Sequence, residues 1–316
     1  MIKTILRIGS LLAALAPSWV HASQAPLLQL DVAHAGNRLV SVGDRGSVLY
    51  SDDQGRRWQP SPAVPSQQLL TALYFVDADH GWAVGHDAQI LATQDGGVHW
   101  TLQFEDRNRQ APLLDVWFQD REHGFAVGAY GALLGTENGG AHWQDHSDTL
   151  DNPEQLHLNA IAAAKGGALF IVGEAGSLFR STDQGRVWQR LPLDYQGSLF
   201  GVLATTQVNT LLIYGLRGHV YRSTDNGDHW QVVMLPGDQP TLSGGSLQAD
   251  GSLVLVGDAG SVLRSTDDGR TFSLMQRPDR LALSGVTGTA DGALILVGQD
   301  GVLRASATGA VDAVQP

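Results

Sequence analysis

The stretch VGDRGSVLYSDDQGRRWQ, Val42 to Gln59, limits more than any other feature how this chain can fold, because it recurs along the sequence. Further copies start at Val84, Val127, Val172, Tyr214, Val256 and Val297, and the last lacks its second half. The second residue of every copy is glycine: Gly43, Gly85, Gly128, Gly173, Gly215, Gly257 and Gly298. Successive copies lie 41 to 45 residues apart. A period of roughly 40 to 50 residues, with four short apolar segments in each, is the signature of a β-propeller with one four-stranded blade per repeat. Length alone, at 316 residues, would suggest about two domains. The repeat overrides that prior, since one toroid consumes nearly the whole chain. The expected fold is all-β, a seven-bladed β-propeller over residues 23–316.

The second repeat shows how a blade is read. Leu69–Val76, Gly81–Gly85, Gln89–Thr93 and His99–Gln103 are its four strands. Alternation is weak in the first two and clearer in the outer two, as for a blade buried on both faces near the axis. A short residue recurs at one place in the first strands: Asp31, Ala72, Asp115, Ala160, Gly201 and Gly285. The sixth repeat (TLSGGSL, Thr241–Leu247) leaves its register open. The sharpest motif, [ST]-x-[DN]-x-G-x-x-[WF], falls between third and fourth strands. It occurs at Ser51–Trp58, Thr93–Trp100, Thr136–Trp143, Ser181–Trp188, Ser223–Trp230 and Ser265–Phe272. Its acids and amide, Asp53, Asp95, Asn138, Asp183, Asp225 and Asp267, suit acceptance of backbone N–H bonds in an Asx-turn. The glycine permits positive φ, and the aromatic is expected to pack between blades.

These are Asp-box, or bacterial neuraminidase, repeats. The fuller pattern VG-x-x-G-x-[LIV]-x-x-[ST]-x-D-x-G-x-x-W resembles the photosystem II stability and assembly factor family of chloroplasts and cyanobacteria. Val172–Trp188 and Val256–Phe272 match it closely, and the resemblance runs from Leu27 to Arg304. It implies a seven-bladed, non-enzymatic assembly factor with an arginine-rich contact patch. Exported relatives also occur in bacteria that do not photosynthesise. The matching residues are the structural ones, so the motif specifies the fold and leaves the partner open.

Residues 1–22 read as a signal peptide. Lys3 and Arg7 precede a short apolar stretch, Ile8–Val20, and Val20-His21-Ala22 fits a small-x-Ala cleavage site. The expectation is an exported protein of the periplasm, or of a thylakoid-lumen equivalent, with no membrane span after cleavage. There is no cysteine, hence no disulfide and no lipid attachment through a thiol. The net charge of -12 argues against nucleic acid and against general adsorption to anionic membranes. A protein partner, within a membrane-associated complex by the resemblance, and a monomeric state are expected.

Ligands of propellers sit on the face carrying the fourth-to-first connections and second-to-third turns; the Asp boxes lie opposite. On that face the candidate contact residues are Arg45, Arg107, Arg109 and Arg217, with Arg277 and Arg280 in a further connection. His146 and His157 flank the longest connection, Asp145–His157. A local positive patch there would steer an acidic segment, and dispersed pairing with nearby acids is the alternative. The remaining histidines fall at repeat positions on separate blades, without ligand spacing, so neither metal nor cofactor is expected. A sialidase-type or other glycan-active propeller is the competing reading. It would need facing carboxyls, and Asp31 with Asp115 is the only pair of that kind. No catalytic residue is assigned.

Overall fold

The computed structural model describes residues 27–310 except Gln110, Gln239 and Thr308. The expected signal segment lies outside these residues. Repeats one to six each form a four-stranded antiparallel sheet, and the seventh contributes three strands. Blade one comprises Gln29–Ala35, Arg38–Gly43, Val48–Ser51 and Gln59–Pro60. Blade two comprises Leu70–Phe75, Gly81–Gly85, Ile90–Thr93 and Thr101–Phe104, within a residue or two of the sequence reading. Strands are short because a turn signal arrives every four to seven residues. The result is a seven-bladed β-propeller, with no α-helix among the described residues.

Every second strand packs between two neighbouring blades, so its residues are buried on both faces; Leu169–Gly173 and Leu253–Gly257 are buried throughout. The first strands are only partly buried because one side lines the axial channel. Each first strand carries a bulge against the second. The recurring short residue sits at that bulge. The pairing Gly244↔Val256 supplies the register that the sequence left open in repeat six.

Each Asp box is closed by its own side chains. In blade five the Ser223 hydroxyl donates to Asp225 and accepts the Gly227 amide, while Asp225 Oδ1 accepts the His229 amide at 2.9 Å. The glycine has φ +86°, and the residue before it, Asn226, is also left-handed at +61°. The aromatic that ends the box fills the interface with the preceding blade. Trp100 of blade two, for example, joins Val40 and Val42 of blade one in one apolar cluster. Burial of such a ring contributes about 2–3 kcal/mol.

A second set of contacts fastens every blade but the third to the Asp-box turn of the next. Arg180 donates to the Asn226 carbonyl, Arg222 to the Asp268 carbonyl, Arg264 to the Ala307 carbonyl and Arg304 to the Gln54 carbonyl. Arg38 reaches the Asp95 and Gly96 carbonyls, and Gln103 the Gly139 carbonyl. Four of these arginines leave the same place in the third strand, one residue before the Asp-box serine or its replacement Ala305. Each also pairs with a carboxylate: Asp228, Asp268, Asp250 and Asp291 respectively.

Blade seven closes directly on blade one. His34 Nε2 lies 2.8 Å from the Gly288 carbonyl, and Arg56 pairs with Asp291 at 2.7 Å. Gly309 retains the seat of an Asp-box glycine, with φ +87° against Val262 and Met275. Ala305 and Ala307 stand where the box places its hydroxyl and acid. Residues 309–314 and 23–28, either of which the sequence would allow as a fourth strand of blade seven, lie mostly outside the described residues.

Candidate partner-binding face

The second-to-third turns make the face opposite the Asp boxes. Their middle residues, Arg45, Asp87, Tyr130, Ala175, Arg217 and Ala259, all have φ between +51° and +57°. The turn is anchored inward: the Asp44 amide, for instance, donates to the Leu28 carbonyl. Side chains at the middle position are therefore held out at the rim. Only one of the six is aromatic. Tyr130 is 58% exposed, at a backbone conformation that a bulky residue adopts rarely and at a cost of order 1 kcal/mol.

Tyr130 stands at the edge of a cavity of about 520 Å³ formed with the connection between blades three and four. That connection, Asp145–His157, is built rather than slack. Leu150 is buried in the core, the Asn152 side chain bonds the Leu156 amide and carbonyl, and the Ser147 hydroxyl accepts the Leu133 amide. Arg109 crosses from the previous connection to pair with Asp145 at 2.7 Å. Burial works against the Asp145 charge, but the Ser147 and Arg109 contacts outweigh it and hold the carboxyl below its ordinary value. Tyr130 meets His157 edge-on, with centroids 5.0 Å apart, and His157 lies 3.7 Å from Glu174.

The sequence candidates thus separate into groups. Arg109 and His157 lie beside Tyr130 and the long connection. Arg45 sits in blade one near Asp44 (3.6 Å), and Arg107 pairs with Glu105 at 3.1 Å. Arg217 is exposed at the tip of the blade-five turn without an ion pair among the described residues. Buried Arg277 is paired with Asp279, and exposed Arg280 bonds Gln276. His146 turns to the other side, into a cleft that it shares with the Asp-box turn of blade four. Tyr130 was missed by sequence reasoning. The available signal was a tyrosine where five sister turns place arginine, aspartate or alanine.

The axial channel holds a cavity of about 400 Å³ that includes Asp31, Asp115 and Tyr214. Both acids are fully used by backbone. Asp31 accepts the Val32 amide at 2.8 Å and the Leu73 amide of blade two at 2.9 Å. Asp115 accepts the Val116 amide and the Ile161 amide of blade four, each at 2.8 Å. Burial raises the Asp31 carboxyl, and burial together with the Asp31 charge raises Asp115 to about 7. Burial also raises the Tyr214 phenol. A perturbed acid in a cavity is a candidate for chemistry. Here each carboxylate joins two blades, and the channel aromatics, Phe200 and Tyr214, are half-buried and buried.

The six Asp-box residues Asp53, Asp95, Asn138, Asp183, Asp225 and Asp267 all accept amides within their own turns. One group of metal-ligand type occurs among the described residues, Asp77, Asp79 and His80, in the first-to-second turn of blade two. Asp77 is already committed there to two amides and to Arg121.

The family sequence model described as "Photosynthesis system II assembly factor YCF48" matches residues 103–237. Over those residues this Asp-box β-propeller is similar to the photosystem II assembly factors. A photosystem II assembly protein Ycf48 from Synechococcus sp. (strain JA-2-3B'a(2-13)) is 34% identical to this propeller over 137 residues, 42% of the chain and 39% of that protein. A second, from Synechococcus sp. (strain JA-3-3Ab), is 42% identical over 48 residues, 15% of the chain and 14% of that protein. The alignments thus span well under half of either curated relative. The propeller also shares its fold with the structure of YCF48 bound to D1 peptide, at TM-score 0.70 and 18% identity, over 90% of this chain and 93% of that one. No helix among its described residues is long and apolar enough to cross a membrane.

Proposed function

We propose that this propeller is an exported, non-enzymatic scaffold that holds a polypeptide segment of a membrane complex during assembly. The related propeller with a bound D1 peptide supports a polypeptide as the cargo. In a photosynthetic host the cargo would be a photosystem II precursor. In another host it would be a subunit of an envelope complex reached from the periplasm. The observation that carries the reading is Tyr130, an exposed aromatic fixed in a costly conformation beside Arg109 and a built, polar connection. Tyrosine and arginine at a pocket edge are the residue types that dominate protein interfaces. The exposed cations Arg45, Arg107 and Arg217 would set charge complementarity around it, with His157 supporting the Tyr130 ring. The structural use of Asp31 and Asp115 favours a scaffold over a glycan-active enzyme.

The test is capture from envelope extracts with the mature chain as bait. A defined partner is expected with the wild type, and Tyr130→Ala or Arg109→Ala should weaken its recovery about tenfold or more. Equal recovery with both variants would remove this face from the reading. Turnover of a glycan abolished by Asp115→Asn in a folded protein would replace the reading altogether.

A further inference from the structure

The interface between blades three and four lacks the clamp found at the other interfaces. Its third-strand position is Gly135, where blades four to seven carry Arg180, Arg222, Arg264 and Arg304. Alternation fixes the direction. Leu133, two residues earlier, packs with Leu158 and Leu169 of blade four, just as Leu178 packs with Leu199 and Leu211 of blade five. A side chain at 135 would therefore point at the blade-four Asp box. In its place is a cleft of about 360 Å³ bordered by Trp117, Phe125, Glu137, His146, Gln184 and Arg186.

The cleft keeps the receiving half of the clamp. Gln184 has φ +64°, as Gln54 has +63°, Asn226 +61° and Asp268 +63°, the residues whose carbonyls take arginine in the sister interfaces. No side chain among the described residues donates to the Gln184 carbonyl. Glu137 occupies the place of Asp52, the carboxylate that pairs with Arg38 in blade one, and Glu137 is exposed and has no ion pair among the described residues. Aromatic walls suit a planar cation. Arg186 at the rim is no obstacle, because Arg56 occupies the same place in blade one and shares Asp291 with the clamping Arg304.

We propose that this cleft is a receptor for a guanidinium group, supplied by an arginine side chain of a partner polypeptide. The guanidinium would donate to the Gln184 carbonyl and pair with Glu137, completing in trans the contact that four sister interfaces make in cis. Arginine is preferred over lysine because the two acceptors differ in direction, which a planar fork matches and a point charge does not. The site lies on the Asp-box side, so it stands or falls separately from the Tyr130 face.

The probe is N-acetyl-arginine-N-methylamide, titrated into the folded mature protein and followed by NMR at the Gln184 and Gly185 amides. Saturable shifts are expected there, with the isosteric neutral citrulline derivative and the lysine derivative binding at least about tenfold more weakly. Glu137→Gln should weaken arginine binding by about tenfold, and Gly135→Arg, which restores the clamp, should abolish it. Gly135→Arg must displace the His146 ring, whose Nε2 would lie 2.9 Å from the new Cβ, so Glu137→Gln decides if that variant fails to fold. Free arginine tested alongside separates the sources: weaker binding than the blocked residue supports a polypeptide, and equal or tighter binding overturns that part. Equal response to citrulline, or undiminished binding in Glu137→Gln, would overturn the proposal.

Discussion

Asp115 of blade three accepts the backbone amide of Ile161 in blade four at 2.8 Å, so one inner-strand carboxylate fastens two blades at the wall of the channel. Asp31 does the same between blades one and two through the Leu73 amide. Thr71 bonds the Leu113 carbonyl of blade three, and Asn159 the Leu199 carbonyl of blade five. Beyond blade five the inner strands approach by glycine instead: a Cβ on Gly244 would come within 2.5 Å of the Ser284 carbonyl oxygen. The ring is thus held by side-chain clips over one half and by close backbone contact over the other.

The Asp115 clip makes stability depend on pH. Its carboxyl ionises near its ordinary value of 3.8 in the unfolded chain and about 7 in the fold. Between these values the native state keeps a proton that the unfolded chain has lost. Stability from this group is therefore full below 3.8 and declines as pH rises through about 7, by up to about 4 kcal/mol. The Asp-box acids act in the opposite sense. Asp225 and Asp267, held at about 2 in the fold, contribute stability above 3.8 that is lost as pH falls through about 2. Urea denaturation from pH 3 to 8 should show a maximum in the mildly acidic range, and Asp115→Asn should flatten the neutral limb. An unchanged slope between pH 5 and 7.5 in that variant would count against the assignment.

The clamp at the blade five–six interface is the most buried of its kind. Arg222 and Asp268 are 8% and 11% exposed and lie 2.7 Å apart. Arg222→Ala leaves Asp268 desolvated and uncompensated, and should cost about 3–5 kcal/mol in equilibrium denaturation. Arg222→Lys cannot reach both the carbonyl and the carboxylate and should recover only part of that loss. Full recovery with lysine would show that charge alone matters there.

Tyr214 replaces the valine that all six other repeats place before the glycine at their second position, as Val42 does before Gly43. Its ring uses the space left by Gly201, where a Cβ would lie 2.2 Å from the hydroxyl. Gly201→Ala should destabilise the protein by about 1–3 kcal/mol through overpacking. In the Tyr214→Val background the same change should cost much less, a coupling that a double-mutant cycle reads directly. Additive losses would mean that the two positions do not share this space.

Much of the architecture was legible because repetition multiplies weak signals. One VG-x-x-G segment is only a turn, but successive copies at nearly constant spacing demand a cyclic array of identical units. The Asp boxes were equally legible, since Asp53 and its counterparts act within eight residues of sequence. The register of repeat six was not, because in TLSGGSL either Gly244 or Gly245 fits a position defined only by smallness. The candidate sites were legible in part. Arg109 and the Asp145–His157 connection were visible as polar loop residues, whereas the value of Tyr130 depends on a turn conformation that no local motif announces.

The sequence by itself determined the ring, its blade count and the chemistry of every Asp box, because those depend on contacts a few residues apart repeated at a fixed period. Only the tertiary structure decided which side chains meet across blades. The acceptor for an arginine in one third strand lies some 46 residues further on, as for Arg222 and Asp268. The consequence of a glycine at 135 is therefore visible only once Gln184 is seen facing it.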